Sequence, residues 1–356
     1  NIYAISTISS SLLLVWFGKK IDEHKLFNYS LFVISLLFFS ALFFSFINSI
    51  ILLALGIFLM RFSGQGLMSH TSSTAISRYF DKTRGRALSI SWLGLSTAEF
   101  ILPFLVIYFL TIYSWKIVWQ GISILIIITL PLILIFTIKN INFNSREDRS
   151  KTSLKNKIKD WKRKEVIKDY RFYIISLNML AMPWIFTGIA VYQSFIADSK
   201  LWDVYTIPKA FMIYSIASII TLFSSGFLID RFTSRKLIPI MNLPLFFSMI
   251  VLLFFDHPFT AYLFLGLIGI SNGLTNILGT STWAEIYGVK YIGGIKAVTT
   301  AFMVFSTAFG TAIFGLLIDN GFSIENIALI SVIYIIFSLL LLLIFRKRLE
   351  PTIILK

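Results

Sequence analysis

Apolar runs of about 20 residues follow one another almost without pause from residue 1 to residue 345, each closed by a short polar break. In the hydrocarbon of a bilayer no water is present to satisfy backbone N–H and C=O groups. Runs of roughly 18 or more apolar residues therefore read as membrane-spanning helices. A membrane β-barrel would alternate apolar and polar residues in segments of about 10, and this chain does not. Only 14% of its 356 residues are charged, against about 25% in an average soluble chain. The expected fold class is all-α, a polytopic membrane protein.

The pattern predicts eleven spans, at 1–17, 27–47, 51–78, 87–111, 117–138, 172–196, 210–229, 237–255, 259–284, 295–317 and 326–345. The formal net charge of +15 invites a nucleic-acid reading, but its placement points to lipid. Twenty-eight of the 32 Lys and Arg fall in one set of alternate loops, Lys290 and Lys296 among them, and three (Lys116, Lys200, Lys209) in the other. That asymmetry predicts a cytoplasmic side for the first set. It includes a basic linker at 139–171, read as a solvated segment or a helix lying along the membrane surface. Cysteine is absent, which excludes disulfide and thiol chemistry. No cleavable leader is visible, and the composition is that of a bacterial inner-membrane protein.

The chain is also duplicated. GKKIDEHK at 18–25 is repeated as GFLIDRFTSRK at 226–236, so that Asp22 and Asp230 are 208 positions apart. Tyr79 and Tyr287 keep that offset, Gly85 and Gly294 are 209 apart, and Ser-Thr-Ala at 96–98 recurs at 306–308. A constant offset means two similar halves. The predicted domains are a bundle at 1–138, the linker at 139–171, a second bundle at 172–345 and a tail at 346–356. Shifted back by 208, the span 172–196 falls before residue 1. The second half then has six spans and the first five, and the expected intact protein has twelve, with one N-terminal helix lost from this sequence.

Two such halves, a basic central linker, and a loop of glycine, three residues, aspartate and basic residues after the second helix of each half resemble the major facilitator superfamily. The copy at Gly226, Asp230, Arg231, Arg235 and Lys236 fits well; in the copy at Gly18, Asp22 and Lys25, Glu23 replaces the arginine. Arg61, Gly64, Gln65 and Gly66 are similar to a family motif that faces a central cavity, with the spacing one residue longer. Gly94, Ala98 and Pro103 resemble the family's antiporter motif, with Glu99 where a proline is usual. The run EIYGVKYIGGIKA at 285–297 resembles the monocarboxylate and oxalate–formate branches. The resemblance implies two pseudo-symmetric six-helix bundles rocking about a central site, usually as a single chain.

Charge and packing give the loop motif a physical reading. Glycine lets two helices approach closely, and the aspartates are placed to pair with Arg78, Arg84 or Arg86 or to sit at a helix N-terminus. These residues form the predicted gate. An ionisable side chain in hydrocarbon is costly and faces the bundle interior, which singles out Arg61 and Glu99. Arg61, Gln65, Ser69 and Ser72 share one helical face, with His70 beside it. Asn178, Trp184, Gln193, Asn272, Asn276 and Trp283 supply neutral polar and aromatic candidates. Arg61 is expected to anchor an anionic solute and Glu99 to carry a proton; the alternative is that they pair and only hold the bundle.

The expected function is secondary active transport of a small organic solute, preferably an anion such as a carboxylate, with protons as a further partner. A drug–proton antiporter and a non-transporting membrane receptor are the alternatives. No phosphate-binding Gly-x-x-x-x-Gly-Lys-(Ser/Thr) loop occurs, and no cofactor or metal is expected. His24, His70 and His257 are dispersed, and no aspartate falls in a predicted span, so an intramembrane enzyme is not expected.

Overall fold

The apolar runs become helices because lipid leaves the backbone no other donors and acceptors. The computed structural model describes residues 2–80, 83–139, 157–203 and 205–354. The first half consists of α1 (Ile2–Phe17), α2 (Leu26–Phe44), α3 (Ile50–Met60), α4 (Ser69–Tyr79), α5 (Arg84–Ile112) and α6 (Trp115–Thr137). After the linker come α7 (Arg163–Lys168), α8 (Tyr170–Val191), α9 (Gln193–Ser199), α10 (Thr206–Phe232), α11 (Ser234–Met241), α12 (Leu243–Phe254), α13 (Thr260–Tyr287), α14 (Ile292–Asp319) and α15 (Ile324–Ile344). Nine spans among the described residues are long and apolar enough to cross a membrane, with α3–α4 and α11–α12 each counted as one. The other two predicted spans are α1, of 16 residues, and α5, of 29.

Three predicted spans are interrupted, each for a local reason. Between α3 and α4 the residues Arg61–Met68 form a π-helical turn. It carries Gly64 and Gly66, and a Cβ on Gly66 would lie 3.2 Å from the Arg61 carbonyl oxygen. The segment around 242 breaks where Pro239 and Pro244 each remove a backbone donor. The run predicted at 172–196 ends as α8 at Val191, and α9 restarts after Tyr192.

The two halves meet crosswise, α1 on α14 and α10 on α5. One buried apolar cluster lies within the first half around Leu14, Tyr29, Val33 and Phe62. A second lies within the other half around Trp184, Phe264 and Phe314. The third joins both halves and the linker, with Leu88, Val166, Phe172, Ile229, Trp283 and Ile295 in contact. It sits on the side where the linker and the chain's tail also meet.

There, β1 (Lys157–Ile158) pairs antiparallel with β2 (Ile353–Ile354). Arg171 donates to the Glu350 carbonyl at 2.7 Å, and Trp161 N–H donates to the Tyr287 carbonyl at 3.0 Å. Arg163 of α7 donates to the Val15 carbonyl at 2.7 Å. The described part of the linker is thus a strap tied to both halves. Of the helix-capable stretch 150–168, residues 150–156 lie outside the described residues, and the rest is helical only over α7.

Candidate functional site

Two carboxylates close the linker side, each presented by one half to a helix start of the other. Asp22, in the turn after α1, accepts backbone N–H bonds from Gly293 at 3.0 Å and Gly294 at 2.7 Å, at the start of α14. It also pairs with Arg78 of α4. Asp230, near the end of α10, accepts from Gly85 N–H at 2.8 Å and Arg86 Nε at 3.0 Å, at the start of α5. The first N–H groups of a helix have no partner within it, and its dipole favours negative charge there. Burial lifts the Asp22 carboxyl above its ordinary value, and Arg78 and the two glycine N–H groups offset only part of that rise.

Close backbone approach is part of both contacts. A Cβ on Gly85 would stand 2.4 Å from the Gly226 carbonyl oxygen, and one on Gly18 would stand 2.6 Å from Ala297 Cβ. Arg84, the first residue of α5, is buried beside the second contact. Lys25, Arg231, Arg235 and Lys236 are not brought to the seam. Lys25 is exposed before α2, and Arg231 lies 5.2 Å over Phe232. Arg235 donates its backbone N–H to Glu285, and Lys236 lines a rim pocket with Arg346 and Lys347.

Above these contacts, about 10–15 Å in from the linker-side helix ends by the 1.5 Å rise per residue, the halves enclose a cavity of about 70 Å³. Ser69, Ser73, Ser176, Thr275, Thr280, Thr299 and Thr300 are among its lining residues, the surface is mostly apolar, and Trp92 and Trp283 form aromatic walls. Lys296 is also in the lining, 3% exposed, and its Nζ has no hydrogen-bond partner among the described residues. This corrects the loop count made from the sequence. Lys296 is the fifth residue of α14, and Arg61 is not the only cation within the spans. The signal was present, since the predicted span 295–317 already contained it.

Of the residues singled out from the sequence, Ser69, Asn276 and Trp283 reach this cavity. Arg61 bonds Gln65 one turn on and lies 4.7 Å over the Tyr3 ring, outside the lining. Ser72 faces Ser91 at 3.1 Å. Asn272 donates to Ser218 and receives Asn276 within the second half. The Asn178 side chain is buried with no hydrogen-bond partner among the described residues, while its backbone carbonyl accepts from Asn242 at 2.6 Å. Trp184 packs among Phe309, Phe314 and Tyr334, and Gln193 begins α9 on the face away from the linker. His70 is fully buried at the seam, with Nε2 2.8 Å from the Gly293 carbonyl oxygen. The side chains of Glu99 and Pro103 lie outside the described residues.

The sequence matches the family model described as Major Facilitator Superfamily over residues 1–208 and 174–354. No curated protein matches it. Among solved structures, it is similar to the crystal structure of a bacterial homologue of the iron transporter ferroportin in the outward-facing state with soaked iron. That comparison gives TM-score 0.70 and 17% identity, covering 98% of this chain and 89% of the other. A second outward-facing structure described as a bacterial ferroportin homologue gives TM-score 0.65 and 17% identity, over 98% and 90%. At that identity the likeness concerns the fold.

Proposed function

Since this chain belongs to the Major Facilitator Superfamily, and is a membrane transporter rather than an enzyme, we propose that it carries a small organic anion by alternating access. One observation carries the substrate class: the Lys296 side chain, buried in a cavity between the halves that several serines and threonines border, with no hydrogen-bond partner among the described residues. A buried charge without a counter-charge is strongly disfavoured. An anionic solute supplies that counter-charge, the hydroxyls satisfy its oxygens, and Trp92 and Trp283 flank its apolar part. Sites between the repeats are where such scaffolds bind.

The crossed caps of Asp22 and Asp230 keep the linker side shut, so the solute enters from the opposite face. Release requires α14 to leave Asp22 and α5 to leave Asp230. The charge asymmetry of the loops makes the linker side cytoplasmic. The iron soaked into the solved neighbour is not carried over to this chain.

The test is uptake of radiolabelled carboxylates into vesicles by the wild type and by Lys296→Gln. Loss of one charge-assisted contact predicts at least about a tenfold fall in uptake, from about 1.5–3 kcal/mol of lost binding. Folded protein should be retained. Undiminished carboxylate uptake by Lys296→Gln would exclude the anion reading.

A further inference from the structure

His70 lies where the two halves must part. It projects from α4 against the first turn of α14, with Gly18 packed beside its ring. A carbonyl only accepts, so the 2.8 Å contact to Gly293 places the ring proton on Nε2. Nδ1 then carries the lone pair, and it is buried with no partner among the described residues. A proton added there would make a buried charged N–H with nothing to receive it. The charged groups around the ring also oppose it. Lys296 comes from α14, one turn beyond Gly293, and Arg78 lies two turns along α4. Asp22, from the turn after α1, is engaged by Arg78 and the glycine N–H groups, and Arg84 at the start of α5 adds a further positive charge beside Lys296. The closed seam therefore accepts only neutral imidazole.

We propose that His70 is a proton-binding site that controls the linker-side gate: opening takes a proton from linker-side water onto Nδ1, and closing returns it. The proposal deepens the transport reading given above and rests on it. Once α14 moves off, water can solvate both ring nitrogens, and a hydrated imidazole takes up a proton near pH 6.5. Below that pH, opening linked to uptake of one proton shifts the open-to-closed ratio by up to about tenfold per pH unit. Asp22 acts with the opposite sign. Its carboxyl is lifted by burial in the closed seam, so through Asp22 acid favours closure. The two groups can be told apart by the direction of the response.

The absence of cysteine makes a direct measurement practical. Glu23→Cys and Lys290→Cys place spin labels on exposed positions of the two halves at the linker side, and their distance distribution is recorded in the full reconstituted chain from pH 8 to pH 5. The expected result is a growing long-distance population as pH falls below about 6.5. In His70→Gln, which keeps a donor for the Gly293 carbonyl but takes up no proton, that growth disappears and any remaining trend runs toward closure. Lys296→Gln, which removes one charge opposing the imidazolium, gives a shallower response. A wild-type distance independent of pH overturns the proposal, as does a His70→Gln profile like the wild type. If His70→Gln does not fold, His70→Asn takes its place. No transported solute enters this measurement, so the uptake experiment with Lys296→Gln decides the anion reading separately.

Discussion

At the residue scale the protein works through single groups whose partners lie far away in sequence. Gly85 meets the Gly226 carbonyl, and a methyl group at Gly85 would stand 2.4 Å from that oxygen, a backbone atom with no rotamer to yield. Gly85→Ala is expected to destabilise the closed linker side by about 1–3 kcal/mol, an overpacking strain. That is a shift of about 5–150-fold toward the open arrangement. Each half stays folded, because the clash lies between them. Spin-label distances across the linker side that match the wild type would refute this. The paired aspartates were legible in the sequence because duplication displays them twice at a fixed offset. Lys296 was not. A lysine soon after a loop resembles every other positive-inside cation, and only the burial of the α14 start between the halves sets it apart. His70 was noticed as an intramembrane histidine, but its partner is a backbone carbonyl 223 positions away, and a carbonyl leaves no mark in a sequence.

At the scale of elements, the eleven apolar runs were readable because lipid permits little else than a helix. Their interruptions were harder to see. Arg61–Met68 forms a π-helical turn inside a run that looks continuous, and Pro239 and Pro244 divide a span whose hydropathy never falters. Helix crossings also divide into two kinds that sequence does not distinguish. Gly310 on α14 meets α8 within one half, and a Cβ there would lie 2.1 Å from the Trp184 carbonyl oxygen. That crossing lies inside one bundle, whereas the crossing at Gly85 joins the two. Gly310→Leu is therefore expected to lower the stability of the whole fold by about 1–3 kcal/mol or more. Thermal unfolding in detergent should show the loss, while the folded fraction keeps wild-type linker-side distances. A changed distance with unchanged stability would contradict that separation.

At the scale of the whole molecule, two helix bundles meet on the linker side, and two separate caps join them there. Asp22 and Asp230 each accept from a helix start of the opposite half. Replacing either with asparagine leaves one acceptor oxygen where the carboxylate presents two, so that one donor of each cap loses its partner, worth about 0.5–2 kcal/mol at a helix start. Because the two sites share no partner, the double variant Asp22→Asn with Asp230→Asn should shift closure by about the sum of the singles. A double variant no different from either single would mean that one cap alone holds the gate. The exchange of caps also bears on descent. Asp22 with Gly294 and Asp230 with Gly85 form the kind of mutual contact that two identical bundles make about a twofold axis, where each subunit gives what it receives. Each cap is thus the image of the other across the repeat, and the duplication read at offsets of 208 and 209 positions reappears as a pair of matched locks on one face of the molecule.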